Sequence, residues 1–420
     1  MPPSRRLDSN GVLGMKRKLM LAIAALVVVV VAFVSVPFTR AIGERILDGL
    51  RGPVGEPVPV KTADLSGTGP GSLVSAMTMP EVSRQSPEYR MNIARVIYRS
   101  TSGDGQATEV SGSVFVPRGV PPDGGWPVVA FGHGTTGLDE PCAPSLSKIL
   151  LGYTEAVGTL VSKGYAVALA DYQGLGMPGV HPYTDSRTAG LNMIDAVRAL
   201  RATFPNVSNR WGAFGGSQGG GSAWAADEQA RDYAPELTLV GAVSVSPVTD
   251  ITRLVDKAQR ATLTKDQEFG VVAVVESLAR LHPDINRDDY RRGAVARYWD
   301  SLVACSGPEM NDRAAAAEAM QVSDVAPSTP VAADRLRHYL AEWALPQKRL
   351  SAPLYVWYGG EDTFFDTSWT ARAIERACTM GGAVVAVFEK DKGHGEINYT
   401  DQFQWLTDRF AGKPVTDACA

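Results

Sequence analysis

The sequence predicts an α/β fold in which a mostly parallel sheet carries an antiparallel N-terminal edge, with a mostly helical segment inserted ahead of the last two strands. Three observations support it. Short apolar runs recur at 128–131, 166–170, 211–214, 240–245, 354–358 and 383–388, separated by helical stretches or long connections. Strands buried on both faces and joined by such crossovers build a parallel sheet covered by helices. Upstream, 92–99 and 109–116 read as strands joined by the turn-rich Ser102-Gly103-Asp104-Gly105, an antiparallel hairpin at one sheet edge. Between 247 and about 349 the strand rhythm stops and helical patterns replace it, as at 269–281, 313–320 and 333–344.

With 420 residues, 45% of them hydrophobic, the chain can bury a sizeable core, and at this length an α/β enzyme commonly forms one large domain with an excursion. A net charge of -4, with no basic patch past the N-terminus, argues against a nucleic-acid partner. At the N-terminus, Arg5, Arg6, Lys16, Arg17 and Lys18 precede the uncharged stretch 19–38, interrupted only by Ser35 and Pro37. As a helix this stretch would reach roughly 30 Å, enough to cross a bilayer. The basic flank would leave everything from about Arg40 onward outside. Residues 1–40 therefore read as a membrane anchor or a signal. Neither Ser35-Val36-Pro37 nor Thr39-Arg40-Ala41 makes a good cleavage site, so an uncleaved anchor is preferred and secretion after cleavage is the alternative. Residues 41–89, rich in Gly and Pro, read as a linker and lead-in to the domain. The core is expected over 90–248 and 350–411, a helical lid over 249–349, and a tail over 412–420.

The four cysteines, Cys142, Cys305, Cys378 and Cys419, all follow the apolar segment, an even number in a chain that reads as exported. Two disulfides are expected. Of the three possible pairings, neighbour order favours Cys378 with Cys419, leaving Cys142 with Cys305. No pair has CxxC spacing, and neither a metal nor a cofactor motif is present.

In open α/β sheets the site lies beyond the carboxyl ends of the strands. One of these ends is Gly215-Gly216-Ser217-Gln218-Gly219. A GxSxG match alone is weak in a chain with 42 glycines. Its context discriminates, because an apolar strand runs into the motif and 218–232 reads as a helix. A strand, a sharp turn and a helix push a serine hydroxyl clear of the sheet, and Gly215 and Gly219 let neighbouring backbone approach. Ser217 is thus the candidate nucleophile. A serine needs a base, and the chain has five histidines. In the order serine, acid, histidine, position leaves His282, His338 and His394. The first two fall in the helical insertion, whereas His394 follows the last strand in a glycine-flanked loop. The acid is expected after the preceding strand: Asp362, with Glu361 and Asp366 as rivals and helix capping as the structural explanation of Asp366. For the developing oxyanion, Gln218 supplies one backbone N–H and Thr135, with Thr136 behind it, the second. His133 reads as a loop-shaping residue and Asp171 as a buried structural carboxylate.

These residues carry a resemblance. The loop 132–137 with Cys142-Ala143-Pro144-Ser145, then Asp171-Tyr172-Gln173-Gly174-Leu175-Gly176 with His181-Pro182-Tyr183, then 216–221, together resemble the secretory lipase family over most of 90–410. The resemblance implies an α/β-hydrolase core, a helical lid inserted before the acid, no cofactor, and activity on triacylglycerols or simpler esters. It also implies Ser217, Asp362 and His394 as the triad and a Cys142–Cys305 bridge tying core to lid. Two departures stand out: an apolar N-terminal segment longer than a secretory signal, and no valine-proline after Asp362. The expected activity is hydrolysis of acyl esters through an acyl-enzyme on Ser217. The alternatives are an envelope acyltransferase or serine peptidase with the same triad, and a non-catalytic lipid-binding protein. The expected partners are a lipid or small ester and, through the N-terminal segment, a membrane.

Overall fold

The computed structural model describes residues 54–416 together with 418 and 419; the apolar segment 19–38 lies outside the described residues. Nine strands are present among them: β1 (Leu73–Thr78), β2 (Met91–Thr101), β3 (Ala107–Pro117), β4 (Trp126–Gly132), β5 (Ala166–Ala170), β6 (Val207–Gly216), β7 (Thr238–Val245), β8 (Leu354–Gly359) and β9 (Val384–Glu389). They form one sheet in the order β1-β2-β3-β5-β4-β6-β7-β8-β9. β1, β2, β3 and β5 pair antiparallel in succession, and every pairing from β5 through β4 to β9 is parallel. The architecture is that of the α/β-hydrolases.

Helices α1 (Pro80–Gln85), α2 (Thr154–Ser162), α3 (Ser186–Thr203) and α4 (Gln218–Tyr233) lie before the insertion. The insertion itself holds α5 (Arg253–Gln259), α6 (Lys265–Leu281), α7 (Gly293–Arg297), α8 (Trp299–Val303), α9 (Arg313–Ala319) and α10 (Pro330–Trp343), and α11 (Thr367–Thr379) and α12 (Thr400–Phe410) follow. Successive strand residues face opposite sides. On β4, Val128 and Ala130 enter the core shared with α3, α4 and α11, while Val129 and Phe131 enter the core shared with α2 and α12. Both faces are therefore apolar, which explains the unbroken hydrophobic runs.

The reading of 41–89 as linker is corrected over 73–85. Leu73–Thr78 is a strand, with Ala76 opposite Val96 on β2, followed by α1. Its Leu-Val-Ser-Ala-Met-Thr sequence has no clear period because the pairing with β2 shifts register between Leu73 and Ser75, so that Leu73 and Ala76, three positions apart, both meet the core. Tertiary burial, not local pattern, makes this strand.

β4 lies between β5 and β6 and is parallel to both. The chain runs from β4 to β5 on one side and then crosses back through α3 to β6 on the other, so a crevice opens at the carboxyl ends of β4 and β6. The insertion between β7 and β8 builds its own apolar core from Val271, Val274, Val275 and Leu278 of α6, Trp299 and Leu302 of α8, and Leu336 and Leu340 of α10. Glu276 sits inside it. Burial alone would raise this carboxyl, yet hydrogen bonds from Arg287, Trp299 and Arg280 hold it down to about 2. Arg280 also reaches Asp139 at 2.7 Å, and Ser277 donates to His181 O at 2.7 Å, so one helix of the insertion is pinned to two loops of the sheet. Cys142 is bonded to Cys305, a covalent tie between the same parts, and Cys378 is bonded to Cys419.

Candidate active site

β6 ends at Gly216 and α4 starts at Gln218, leaving Ser217 alone in the turn at φ 59° and ψ -120°. Non-glycine residues rarely occupy such angles, which cost of order 1–3 kcal/mol and persist only where surroundings enforce them. Here Ser217 N–H donates to Val245 O at 2.8 Å, and Ser217 O accepts from Gly221 N at 3.1 Å and Val248 N at 3.3 Å. The motif's glycines serve close approach. A Cβ at 219 would lie 2.0 Å from Gly132 O, and one at 215 would lie 2.1 Å from Gly219 O. The first turn of α4 therefore rests directly on the ends of β4 and β6.

Ser217 Oγ and His394 Nε2 are 2.9 Å apart, and His394 Nδ1 meets Asp362 Oδ2 at 2.8 Å. Asp362 Oδ1 accepts from the backbone N–H groups of Phe364 at 2.8 Å and Phe365 at 3.0 Å, which fixes the carboxylate. The same two residues set the imidazole from the sides, with ring centroids 4.6 and 5.3 Å from His394. The loops after β8 and β9 are joined by Glu361 N–H donating to Lys392 O at 2.9 Å. That bond brings Asp362 and His394 together.

The rivals are placed elsewhere. Glu361 is exposed. Asp366 stands at the N-terminus of α11 but makes no capping bond with its side chain, correcting that expectation. Its carboxylate instead accepts from Lys257 at 2.7 Å and Gln267 at 2.8 Å, both in the insertion. His282 stacks on Tyr339 and His338 pairs with Glu342 within the insertion.

Gln218 opens α4, where the first backbone N–H groups have no intrahelical partner. Its side chain faces inward, with Nε2 2.8 Å from His181 Nε2, while His181 Nδ1 lies 2.9 Å from Gln173 O. Burial pushes His181 down to about 4. The neutral ring thus donates through Nδ1 and accepts from Gln218. Thr135 shares a cavity wall with Ser217, and its hydroxyl meets Tyr183 Oη at 2.9 Å. The neighbouring Gly134 N–H donates to Tyr153 Oη at 2.9 Å, which pins the loop from its other side. His133 is buried, its Nδ1 2.6 Å from Gly134 O and its Nε2 3.2 Å from Asp171 O. Asp171 accepts from Ser111 Oγ at 2.6 Å and Ser145 N at 2.9 Å, a carboxylate enclosed by the sheet. Tyr153, Phe364 and Phe365 were not predicted from sequence, and His181 and Tyr183 entered only as part of the family resemblance, with no role assigned.

Two cavities meet at Ser217 and His394. One, of about 570 Å³, lies between α2 and α12; the other, of about 540 Å³, lies beneath the insertion. Phe269 and Val274 line the second, while Val271, Val272 and Val275 belong to the apolar core of the insertion.

This fold, with a serine raised at the end of β6, is that of the α/β-hydrolase class. The chain belongs to the secretory lipase family, whose model matches residues 146–418. It is 27% identical to a probable inactive lipase of Mycobacterium tuberculosis, over 77% of this chain and 74% of that one. It is 23% identical to lipase 6 of Candida albicans, over 84% and 80% of the two chains. Among solved structures it is similar to Candida antarctica lipase A in its closed state, with a TM-score of 0.68 and 17% identity, covering 86% of this chain and 87% of that one. That likeness is one of fold.

Proposed function

We propose that this protein hydrolyses lipid-type carboxylic esters outside the cytoplasm through an acyl-enzyme on Ser217. The supporting observation is the unbroken chain of hydrogen bonds from Ser217 Oγ through His394 to Asp362, 2.9 and 2.8 Å long. His394 takes the serine proton as Oγ attacks the ester carbonyl carbon, and Asp362 stabilises the imidazolium and holds its tautomer. The developing oxyanion is met by the Gln218 N–H at the helix start and by Thr135. His394 then passes the proton to the departing alkoxide as the carbonyl–oxygen bond breaks. Water repeats the sequence on the acyl-enzyme, releasing the acid and restoring Ser217. The segment 19–38 holds the enzyme at the membrane in this reading.

One relative is named inactive, so the decisive experiment concerns turnover itself. A fluorophosphonate should label the wild type and not Ser217→Ala, and Ser217→Ala should lose about a thousandfold or more of its activity on a chromogenic short-chain ester. Full turnover by Ser217→Ala, or no labelling of the wild type, would overturn the reading. Preference for a peptide amide over esters would assign the same triad to a peptidase.

A further inference from the structure

The two cavities at the nucleophile differ in what lines them. The one between α2 and α12 is walled by five aromatic rings: Phe131, Tyr153, Phe214, Tyr399 and Phe403. These rings brace one another. Phe131 and Phe214 stack with centroids 5.7 Å apart, Phe214 and Phe403 at 4.8 Å, Tyr153 meets Phe131 edge-on at 5.8 Å, and Tyr399 lies 6.0 Å from Phe214. Phe131 and Phe214 are rooted in β4 and β6 at the centre of the sheet, and Tyr153 is fixed by the Gly134 N–H. The wall is therefore stiff, and it offers both ring faces and ring edges, since Phe131 and Phe214 lie 20° apart while Tyr153 and Tyr399 are turned 64° and 54° from their neighbours. The lining of the cavity under the insertion is mixed: Ile251, Leu254, Val274 and Leu302 are aliphatic, and Tyr183, Phe269, Phe364 and Phe365 add rings on the side of the triad loops.

An ester bond held at Ser217 extends two arms, and the order of the reaction distinguishes their places. The alcohol leaves first and water then enters, while the acyl arm stays bound to Oγ. The aromatic cavity suits the first departure, because Gly152, Glu155, Gly395 and Tyr399 on its lining are exposed. The other is roofed by α6 and α8, which keeps an aliphatic chain covered during deacylation.

We infer that the aromatic cavity binds the alcohol portion of the substrate and selects alcohols that carry a flat ring system, while the acyl chain lies beneath the insertion. The inference rests on the acyl-enzyme reading above. Rings placed against aromatic walls gain offset or edge-to-face contact beyond simple burial, which a linear alkyl group of similar size does not.

The test compares two esters of primary alcohols with similar leaving groups, 2-naphthylmethyl octanoate and octyl octanoate, on the wild type and on Ala156→Phe. Ala156 lines the aromatic cavity, and the added ring would occupy it. The wild type should favour the naphthylmethyl ester by about tenfold in kcat/KM, and Ala156→Phe should reduce that ratio to near one. Tyr399→Ala, a substitution at the exposed rim, should lower the ratio about threefold and decides the matter if Ala156→Phe does not fold. A wild-type ratio near or below one, or a ratio unchanged in the folded variants, overturns the inference. Wild-type turnover of p-nitrophenyl acetate, whose activated leaving group needs no help from either cavity, separates the two failures. Its presence beside a flat ratio removes only the alcohol assignment, and its absence removes the hydrolase reading as well.

Discussion

Replacing Gly219 by alanine sets two effects of known size against each other. Gly219 is the second residue of α4, where alanine favours helix over glycine by about 1 kcal/mol. Against this, a Cβ there lies 2.0 Å from Gly132 O, 2.4 Å from Gly132 C and 2.8 Å from His133 O. All three are backbone atoms at the end of β4, more than an ångström inside ordinary contact for the nearest, and no side chain can swing away. Overpacking in cores costs roughly 1–3 kcal/mol, and this rigid case belongs at about 3 kcal/mol or above. The net loss of about 2 kcal/mol should lower Tm by roughly 2–3 °C in a domain of this size. Since α4 carries Ser217 at its start, the same displacement should cut turnover of p-nitrophenyl acetate by about a hundredfold. Gly216→Ala is the internal control. The nearest neighbours of its Cβ are Val245 atoms at 3.9 and 4.0 Å, so its melting temperature should stay within about 1 °C of wild type. Thermal unfolding followed by circular dichroism measures both. A Gly219→Ala protein that melts at or above the wild type and keeps full turnover would refute the reasoning, because helix propensity would then outweigh the contact with β4.

Three further outcomes follow from the same geometry. Asp362→Asn should lower kcat by roughly 10³–10⁴-fold, whereas Asp366→Asn, which loses only its bonds to Lys257 and Gln267, should change kcat by less than about threefold; the reverse ranking would move the acid to Asp366. Asp227 on α4 is raised to about 8 by burial, despite backbone donors from Ala352 and Ser351. The folded state thus keeps a proton that the unfolded chain releases near pH 4, so this group's stability contribution is lost as pH rises toward and through 8. The wild type should lose up to about 1.4 kcal/mol per pH unit across that window from this group, and Asp227→Asn should flatten the fall between pH 5 and 9 in urea titrations; parallel curves would refute the assignment. Replacing both Cys142 and Cys305 by serine opens a loop of 163 residues, which chain entropy values at about 5 kcal/mol at most, and unfolding under non-reducing conditions should show a loss of several kcal/mol.

The parallel strands were legible because burial on both faces leaves unbroken apolar runs, and the run 166–170 coincides with β5. β6 starts earlier than its apolar run, since Val207 pairs with Trp126 on β4 and Arg210 with Thr238 on β7 ahead of the buried residues. β1 was not legible, because the register shift between Leu73 and Ser75 breaks the alternation that its one buried face would otherwise show. At the candidate site, the serine and the histidine were readable from the short sequences around them and from the scarcity of histidine. Asp362 could be separated from Asp366 only by tertiary partners: one carboxylate faces His394, the other Lys257 and Gln267. The roles of Tyr153 and Tyr183, which hold the loop before Cys142, had no sequence signature, although Tyr183 stood in a stretch that carries the family resemblance, since those roles are set by contacts across the crevice.

The two disulfides partition the chain covalently. One closes between Cys142 and Cys305, the other between Cys378 and Cys419, and no bond joins the two loops. A protease cut inside either loop leaves its fragments linked. A cut between Cys305 and Cys378, for instance in the exposed turn Pro308–Asp312, releases two pieces. Ser217 would remain on the first, with Asp362 and His394 on the second. Their partnership would then depend on the pairing of β7 with β8 and on the loops packed around it. That stretch of backbone is where a single nick would turn the triad from an intramolecular arrangement into a complex between two fragments.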